Sequence, residues 1–191
     1  MTTISIFGNG NMAQAIGGVF ARGGASIQYV GSADKAAQLE GDIVVLAVPY
    51  PALAQIAADY GDQLDGKTVV DITNPLDFTT FDALVVPADA SAAAELQAAL
   101  PGAHVLKAFN TTFAATLISG TVGSHRTTVL VAGDDNAAKQ SLIAAVEAGG
   151  LVAVDAGALV RARELEAVGF LQLTLAASEK VGWNAGFSLS R

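Results

Sequence analysis

Apolar, β-branched runs alternate with helical patterns along this chain. The fold class they predict is α/β: a doubly wound, mostly parallel sheet finished by a C-terminal helix. Three observations carry that expectation. Runs such as Asp42–Val48 are almost continuously apolar, as parallel strands covered on both faces must be. Glycine- and proline-bearing junctions separate the runs from the helical segments at short intervals. The first run, ending at Phe7, passes through Gly8-Asn9-Gly10 directly into an apolar-periodic segment.

Composition limits what such a chain can do. Its 191 residues suit one domain, with a core over about 1–157 and a helix and tail over about 158–191. The net charge is −8 with only ten basic residues, which argues against nucleic acid or an anionic membrane as partner. Cysteine is absent, so disulfides, thiolate metal sites and cysteine nucleophiles are excluded. His104 and His125 share no ligand spacing, and no metal site is expected. No apolar run approaches the ~18 residues of a membrane span, and the N-terminal strand lacks a basic leader. A soluble cytoplasmic protein is the expectation.

The opening turn is the most informative stretch. In Gly8-Asn9-Gly10-Asn11-Met12-Ala13, Gly8 permits the turn and Gly10 has no Cβ to hold a pyrophosphate off the backbone. Ala13 is the third small residue, letting helix and strand pack closely. The N–H groups that open the helix have no intrahelical partner and favour an anion. Placed between strand and helix, this pattern predicts dinucleotide binding. The second strand, Ser26–Val30, then indicates which dinucleotide. Its tip is Gly31-Ser32 with Lys35 nearby, a hydroxyl donor and a cation that suit the 2′-phosphate of NADP. An NAD site more often has an acid there; Asp34 is that contrary sign, and NAD remains the alternative.

Later strand ends supply the other candidates. A short helix is expected over Ala33–Glu40, strand three over Asp42–Val48, and a helix from Pro49-Tyr50-Pro51 to about Tyr60. Ligands in open parallel sheets collect beyond the strands' carboxyl ends, which places Val48, Pro49 and Tyr50 in the cofactor crevice. Tyr50 either contacts the ligand or packs the loop. Strand four, Lys67–Thr73, ends at Asn74-Pro75; the Asn74 amide either bonds ribose or nicotinamide or only initiates a turn. The long connection Leu76–Ala88 is a candidate wall of the substrate site. Helix Ser91–Leu100 and strand five, Val105–Phe109, follow, with Phe109 and Asn110 at the crevice. Lys107 is either a polar group of the site or, the preferred reading, a sheet-edge charge. A helix over Thr112–Ser119, a solvated His125, strand Thr127–Ala132, helix Asn136–Ala148 capped by Asp134 or Asp135, and strand Leu151–Val154 complete the series. Asp155-Ala156-Gly157 then reads as a turn. The last helix, Leu159–Val181, has an apolar stripe of Leu165, Val168, Leu171 and Leu175, widened by Phe170, Leu173 and Ala177. Glu164, Gln172, Glu179 and Lys180 form its polar edge. So wide a stripe suggests a homodimer contact.

Gly-Asn-Gly-Asn-Met-Ala-Gln-Ala-Ile-Gly, Val-Gly-Ser, Leu-Ala-Val-Pro-Tyr, Asp-Ile-Thr-Asn-Pro-Leu, Lys-Ala-Phe-Asn-Thr and Asp-Ala-Gly-Ala-Leu occur here in order. In this the chain resembles the deazaflavin (coenzyme F420)-dependent NADP reductases across nearly its whole length. It is also similar to the cytosolic reductase domain of the six-transmembrane metalloreductases. The resemblance implies a Rossmann fold and hydride transfer between NADP(H) and a deazaflavin or flavin-like acceptor. It implies Gly8 to Met12 at the pyrophosphate, Ser32 at the 2′-phosphate, and Pro49, Tyr50 and Asn74 along the nicotinamide half. Ala33 stands where those reductases often carry Arg.

No nucleophile or acid/base pair stands out, so the catalytic residues are unknown; Tyr50 and Lys107 are the candidates if a proton donor is required. Positioning of a redox cofactor can supply much of the rate without one. Two rival readings remain. One is an imine reductase like the pyrroline-carboxylate reductases, whose N-termini are similar; the other is a non-catalytic NADP-binding or sensing module.

Overall fold

A computed structural model describes residues 2–34 and 37–189. Seven strands form one sheet: β1 (Thr3–Phe7), β2 (Ser26–Val30), β3 (Ile43–Leu46), β4 (Thr68–Asp71), β5 (His104–Lys107), β8 (Thr128–Gly133) and β9 (Val152–Gly157). Their order is β2-β1-β3-β4-β5-β8-β9. All neighbours are parallel except β5 and β8, which run antiparallel. A two-residue hairpin, β6 (Thr121–Val122) with β7 (His125–Arg126), lies apart and holds His125 exposed to solvent.

The alternation of side chains along each strand divides the core in two. Ile4 and Ile6 of β1, with Val45 of β3, face one way and pack with Ile16 and Phe20 of α1 (Asn11–Arg22). The same layer receives Leu142 and Val146 of α5 (Asn136–Ala148). Phe7, Val44 and Leu46 face the other way, against Leu53, Tyr60 and Leu64 of α2 (Leu53–Leu64) and Leu96 of α3 (Ala92–Ala99). Two short helical pieces complete the layers' edges: α4 (Ala114–Ser119) and a 3₁₀ turn, Tyr50–Ala52, that leads into α2. Capping follows the sequence. Ser91 Oγ accepts from Ala94 N at 3.1 Å, and Asp135 Oδ1 accepts from Ala138 N at 2.8 Å. Asp134 instead accepts from Leu159 N.

Three expectations are corrected. The connection after β2 forms no helix over its described residues, because glutamine side chains take over its backbone bonding. Gln28 accepts from Glu40 N and donates to Gln38 O, while Gln63 accepts from Leu39 N and donates to Ala37 O. Residues 155–157 are not a turn but the end of β9, which passes a register shift opposite Val131/Ala132. The last helix, α6 (Ala162–Ala177), is preceded by a 3₁₀ turn at Leu159–Arg161 and stops four residues early, with Glu179 in a left-handed conformation. Its buried face is Ala162, Leu165, Glu166, Gly169, Gln172 and Ala176, while Val168 and Leu171 face solvent. The apolar stripe read from the sequence is therefore turned partly outward, and two polar residues point inward.

Lys107 is the sharpest correction. Its strand lies inside the sheet, between β4 and β8, and the side chain is fully enclosed. Its Nζ reaches Asp71 Oδ2 and Glu166 Oε1 at 2.7 Å each and donates to Thr73 O at 2.8 Å. The register makes this possible, because Asp71 and Lys107 are direct cross-strand partners. Glu166 also accepts from Ala92 N and Ala93 N, so it caps α3 from α6. Desolvation pushes the Glu166 carboxyl above the ordinary glutamate range, while the Lys107 ammonium and the Ala92 N–H pull it back. A carboxyl raised in the folded state gives its full stabilisation at low pH and loses it as pH rises through the folded value. Lys107→Met should thus leave two carboxylates buried without their cation and cost about 3–5 kcal/mol. Urea unfolding should show that deficit at neutral pH, and it should shrink on acidification as Glu166 takes up a proton.

Candidate functional site

The carboxyl ends of β1, β3, β4 and β5 open onto one cleft of about 630 Å³, at the point where the sheet order reverses around β1. Each strand sends a short segment to its wall: Gly10–Ala13, Ala47–Tyr50, Ile72–Asn74 and Phe109–Asn110. Thr112–Ala115 continue the last of these, and α6 and the chain after it add Leu173 and Trp183.

The glycine turn is built as its spacing predicts. Gly8 has φ +98°, and a Cβ there would fall 2.3 Å from Ala47 O, so no side chain fits. Gly10 differs. It is extended, N-caps α1 without any side-chain bond, and an added Cβ would meet nothing within 4 Å. The space beside it belongs to the cleft. The first-turn N–H groups of α1 thus face an open cradle of the kind that accepts phosphate. Ala13 is buried as expected, and Gly17 adds a close approach not read from the sequence, since a Cβ there would strike the Tyr29 hydroxyl.

At the tip of β2 a carboxylate has entered. Asp34 Oδ2 accepts from Gly31 N at 2.8 Å, so the exposed tip carries an acid as well as Ser32. The turn over residues 31–34 bends the Asp34 side chain back toward the tip, as the contrary reading of Asp34 anticipates. Lys35 lies outside the described residues.

Among the other expected residues, Asn11, Met12, Val48, Pro49, Tyr50, Asn74, Phe109 and Asn110 line the cleft. Gly8, Asn9, Gly31, Ser32, Pro75 and Lys107 do not. Tyr50 donates its hydroxyl proton to Glu95 Oε2 at 2.5 Å, and its pKa is pushed up to about 12, chiefly by that bond and by burial. A phenol so held is a poor acid. Asn74 and Asn110 bind one another: Asn74 Nδ2 donates to Asn110 O, and Asn110 Nδ2 donates to Asn74 Oδ1 and to Leu165 O of α6. Phe109 is fully buried at φ +62°, a conformation that bulky residues avoid and that surrounding packing must impose. Two buried polar atoms of cleft residues, Thr73 Oγ1 and Asn110 Oδ1, have no hydrogen-bond partner.

Several lining residues carry no signal of their own in the sequence, Thr73, Phe113, Leu173 and Trp183 among them. Thr73 was seen only as a strand end, Phe113 as part of a helix, Leu173 as width on a stripe, and Trp183 as unstructured tail. Phe78 falls in the long connection expected to form a wall. Trp183 stands out only as the chain's one tryptophan, placed just beyond the last helix.

Residues 24–75 match the family described as NADP oxidoreductase, coenzyme F420-dependent. The chain is 32% identical over 151 residues to the F420-dependent NADP reductase of Methanocaldococcus jannaschii, covering 76% of this chain and 66% of that one. It is 33% identical over 126 residues to the metalloreductase STEAP3 of Rattus norvegicus, covering 66% of this chain and 24% of the relative. The chain therefore spans just under two thirds of the archaeal enzyme and about a quarter of the rat one. A crystal structure from Arthrobacter sp. FB24, described as a candidate F420-dependent NADP reductase, superposes with a TM-score of 0.83. It covers 98% of this chain and 99% of its own at 24% identity, a likeness that establishes the fold. Kinship and fold agree: residues 24–75 match the coenzyme F420-dependent NADP oxidoreductase family, and the chain is similar in sequence to an F420-dependent NADP reductase and to the metalloreductase STEAP3.

Proposed function

We propose that the protein is an NADP-dependent oxidoreductase that passes hydride between NADP(H) and a flavin-like or deazaflavin acceptor. The observation that carries this reading is the open N-terminus of α1 facing a cleft large enough for a dinucleotide and a second ring. The pyrophosphate would lie against Gly10, Asn11 and Met12, and the nicotinamide half against Pro49, Tyr50, Asn74 and Asn110. The unpartnered Asn110 Oδ1 offers an acceptor to a carboxamide N–H. When bound, NADPH supplies the hydride, and the protein's part is to orient it, exclude water and place the acceptor. Tyr50 is committed to Glu95 and Lys107 is sealed in the interior, so neither is free to protonate a substrate. That disfavours imine reduction, which requires a proton on nitrogen, and favours an acceptor that takes its proton from solvent. We propose also a homodimer through the outer face of α6, where Val168 and Leu171 are exposed, with Val160 of the preceding 3₁₀ turn beside them.

Gly10→Val should place a branched side chain in the cradle with nothing to clash against. Calorimetry should then show loss of dinucleotide binding while circular dichroism and melting stay near wild type. Unchanged affinity would make the turn merely structural.

Cofactor choice turns on the β2 tip. The Asp34 carboxylate holds the Gly31 N–H and would repel a 2′-phosphate seated there. Asp34→Asn and Ala33→Arg should each tighten NADPH, and Ser32→Asp should shift preference toward NADH. A charge-assisted hydrogen bond is worth about 1.5–3 kcal/mol, so each shift should be one to two factors of ten. Dissociation constants for both dinucleotides at fixed salt measure this; wild type that binds NADH as tightly as NADPH would defeat the NADP assignment.

Activity itself is tested by NADPH oxidation against flavins, deazaflavin, quinones, ferric chelates and small imines. Tight NADPH binding without turnover on any of them would instead mark a binding module. Light scattering at tens of micromolar should give a dimer for wild type and a monomer for Leu171→Glu.

A further inference from the structure

We infer that the acceptor half of the cleft takes an uncharged planar heteroaromatic of the riboflavin kind, held by the faces of its ring and not by charge on its side arm. The inference rests on the reductase reading above and narrows it.

Phe78 and Trp183 come from separate segments, the connection after β4 and the chain beyond α6, yet line the same cleft. Each is more than half exposed, at 58% and 55%. Trp183 stands 5.1 Å from Phe113, centroid to centroid, with their planes at 52°. Large aromatic faces left open to water at the mouth of a cleft are surfaces on which a flat ring can stack, and such stacking tolerates any ring with a π face. Leu173 adds an apolar contact from α6.

Charge points the same way. None of the described residues lining the cleft is acidic or basic. The nearest buried cation in the fold, Lys107, is enclosed by Asp71, Glu166 and the Thr73 carbonyl, so it offers no donor to a ligand. The protein as a whole carries −8, a field that repels anions; the N-terminus of α1 offsets it for the dinucleotide's pyrophosphate. FMN brings a phosphate of nearly two charges, and an oligoglutamyl deazaflavin brings more; riboflavin brings none. The polar needs of a neutral ring are met by hydrogen bonds, for which Thr73 Oγ1 has unspent capacity.

The reaction balances without further reagents. The C4–H bond of NADPH breaks with its electron pair, hydride forms the new N5–H bond of riboflavin, and N1 takes a proton from solvent. NADPH, one proton and riboflavin thus become NADP⁺ and dihydroriboflavin.

The only tryptophan of the chain lies in this cleft, so its fluorescence reports binding independently of turnover. Titrations with riboflavin and with FMN, each at low and moderate salt, should show quenching by both. Riboflavin should bind at least as tightly, and salt should tighten FMN alone by screening repulsion. Trp183→Leu should raise the KM for riboflavin about tenfold, as loss of a stacking face does, while calorimetry shows NADP⁺ affinity unchanged; Trp183→Phe should restore most of the loss. FMN binding ten times tighter than riboflavin, FMN affinity that falls with salt, or no riboflavin quenching would each overturn the inference. Failure to bind NADPH would defeat the reductase reading instead, whatever the flavin titrations show.

Discussion

The enclosed Lys107 ammonium is the constraint on which the rest of the site depends. Ion clusters taken out of water stabilise a fold little in net terms, but they are unforgiving once formed, because removing one member strands the others. Here the members come from four elements: Asp71 from β4, Lys107 from β5, Glu166 from α6, and the first N–H groups of α3 through Glu166. The same ammonium takes the carbonyl of Thr73, and Asp71 Oδ1 takes its N–H. The backbone that carries β4 into the cleft is therefore held at both its polar groups. A buried charge thereby sets the position of a wall of the cleft.

A second lock, of amides instead of charges, continues the same wall. Asn74 and Asn110 exchange hydrogen bonds across the carboxyl ends of β4 and β5, and Asn110 reaches the Leu165 carbonyl of α6. The helix can approach so closely only because residue 169 is glycine; a Cβ there would lie 2.2 Å from Asn74 Oδ1. Glu166 and Gly169 sit three residues apart, on one face of one helix, and serve the two locks together. This explains why α6 turns polar residues inward and leaves Val168 and Leu171 outside. The helix is oriented by partners its own hydrophobic periodicity does not reveal.

That difference marks the boundary of what the sequence makes legible. Strand two, α5, the Asp135 cap and the glycine cradle are local facts, each decided within a dozen residues by propensity, turn chemistry and spacing, and each was readable. The missing helix after β2 was not, because Gln28 and Gln63 replace its backbone bonds from 12 and 24 residues away, as seen at Glu40 and Leu39. Lys107 looked like an edge charge because a lysine in an apolar strand has no other local explanation. Its counter-ions lie 36 and 59 positions distant in sequence, at Asp71 and Glu166. At the site, the residues following each strand were legible from the rule that ligands gather at carboxyl ends. The aromatic rim was not, since Trp183 reaches the cleft only through the placement of α6.

These locks also bear on how a site without an evident acid or base can promote a reaction. Hydride transfer is steeply sensitive to the separation and angle of two rings, and holding reactants in place can replace a large part of a barrier. A cleft meant to do this must not yield. The walls described here are fixed by buried bonds whose loss is costly, by a strained Phe109 backbone and by a glycine contact that admits no slack. Tyr50 is held likewise, its hydroxyl donating a hydrogen bond to Glu95, so that its ring is a fixed surface and not a titrating group near neutral pH. The exposed aromatic surface lies at the rim, where Phe78 and Trp183 stand in solvent. A floor fixed by charged and amide locks and an exposed aromatic rim would divide the two tasks the proposed reaction sets, holding a dinucleotide and admitting a second ring.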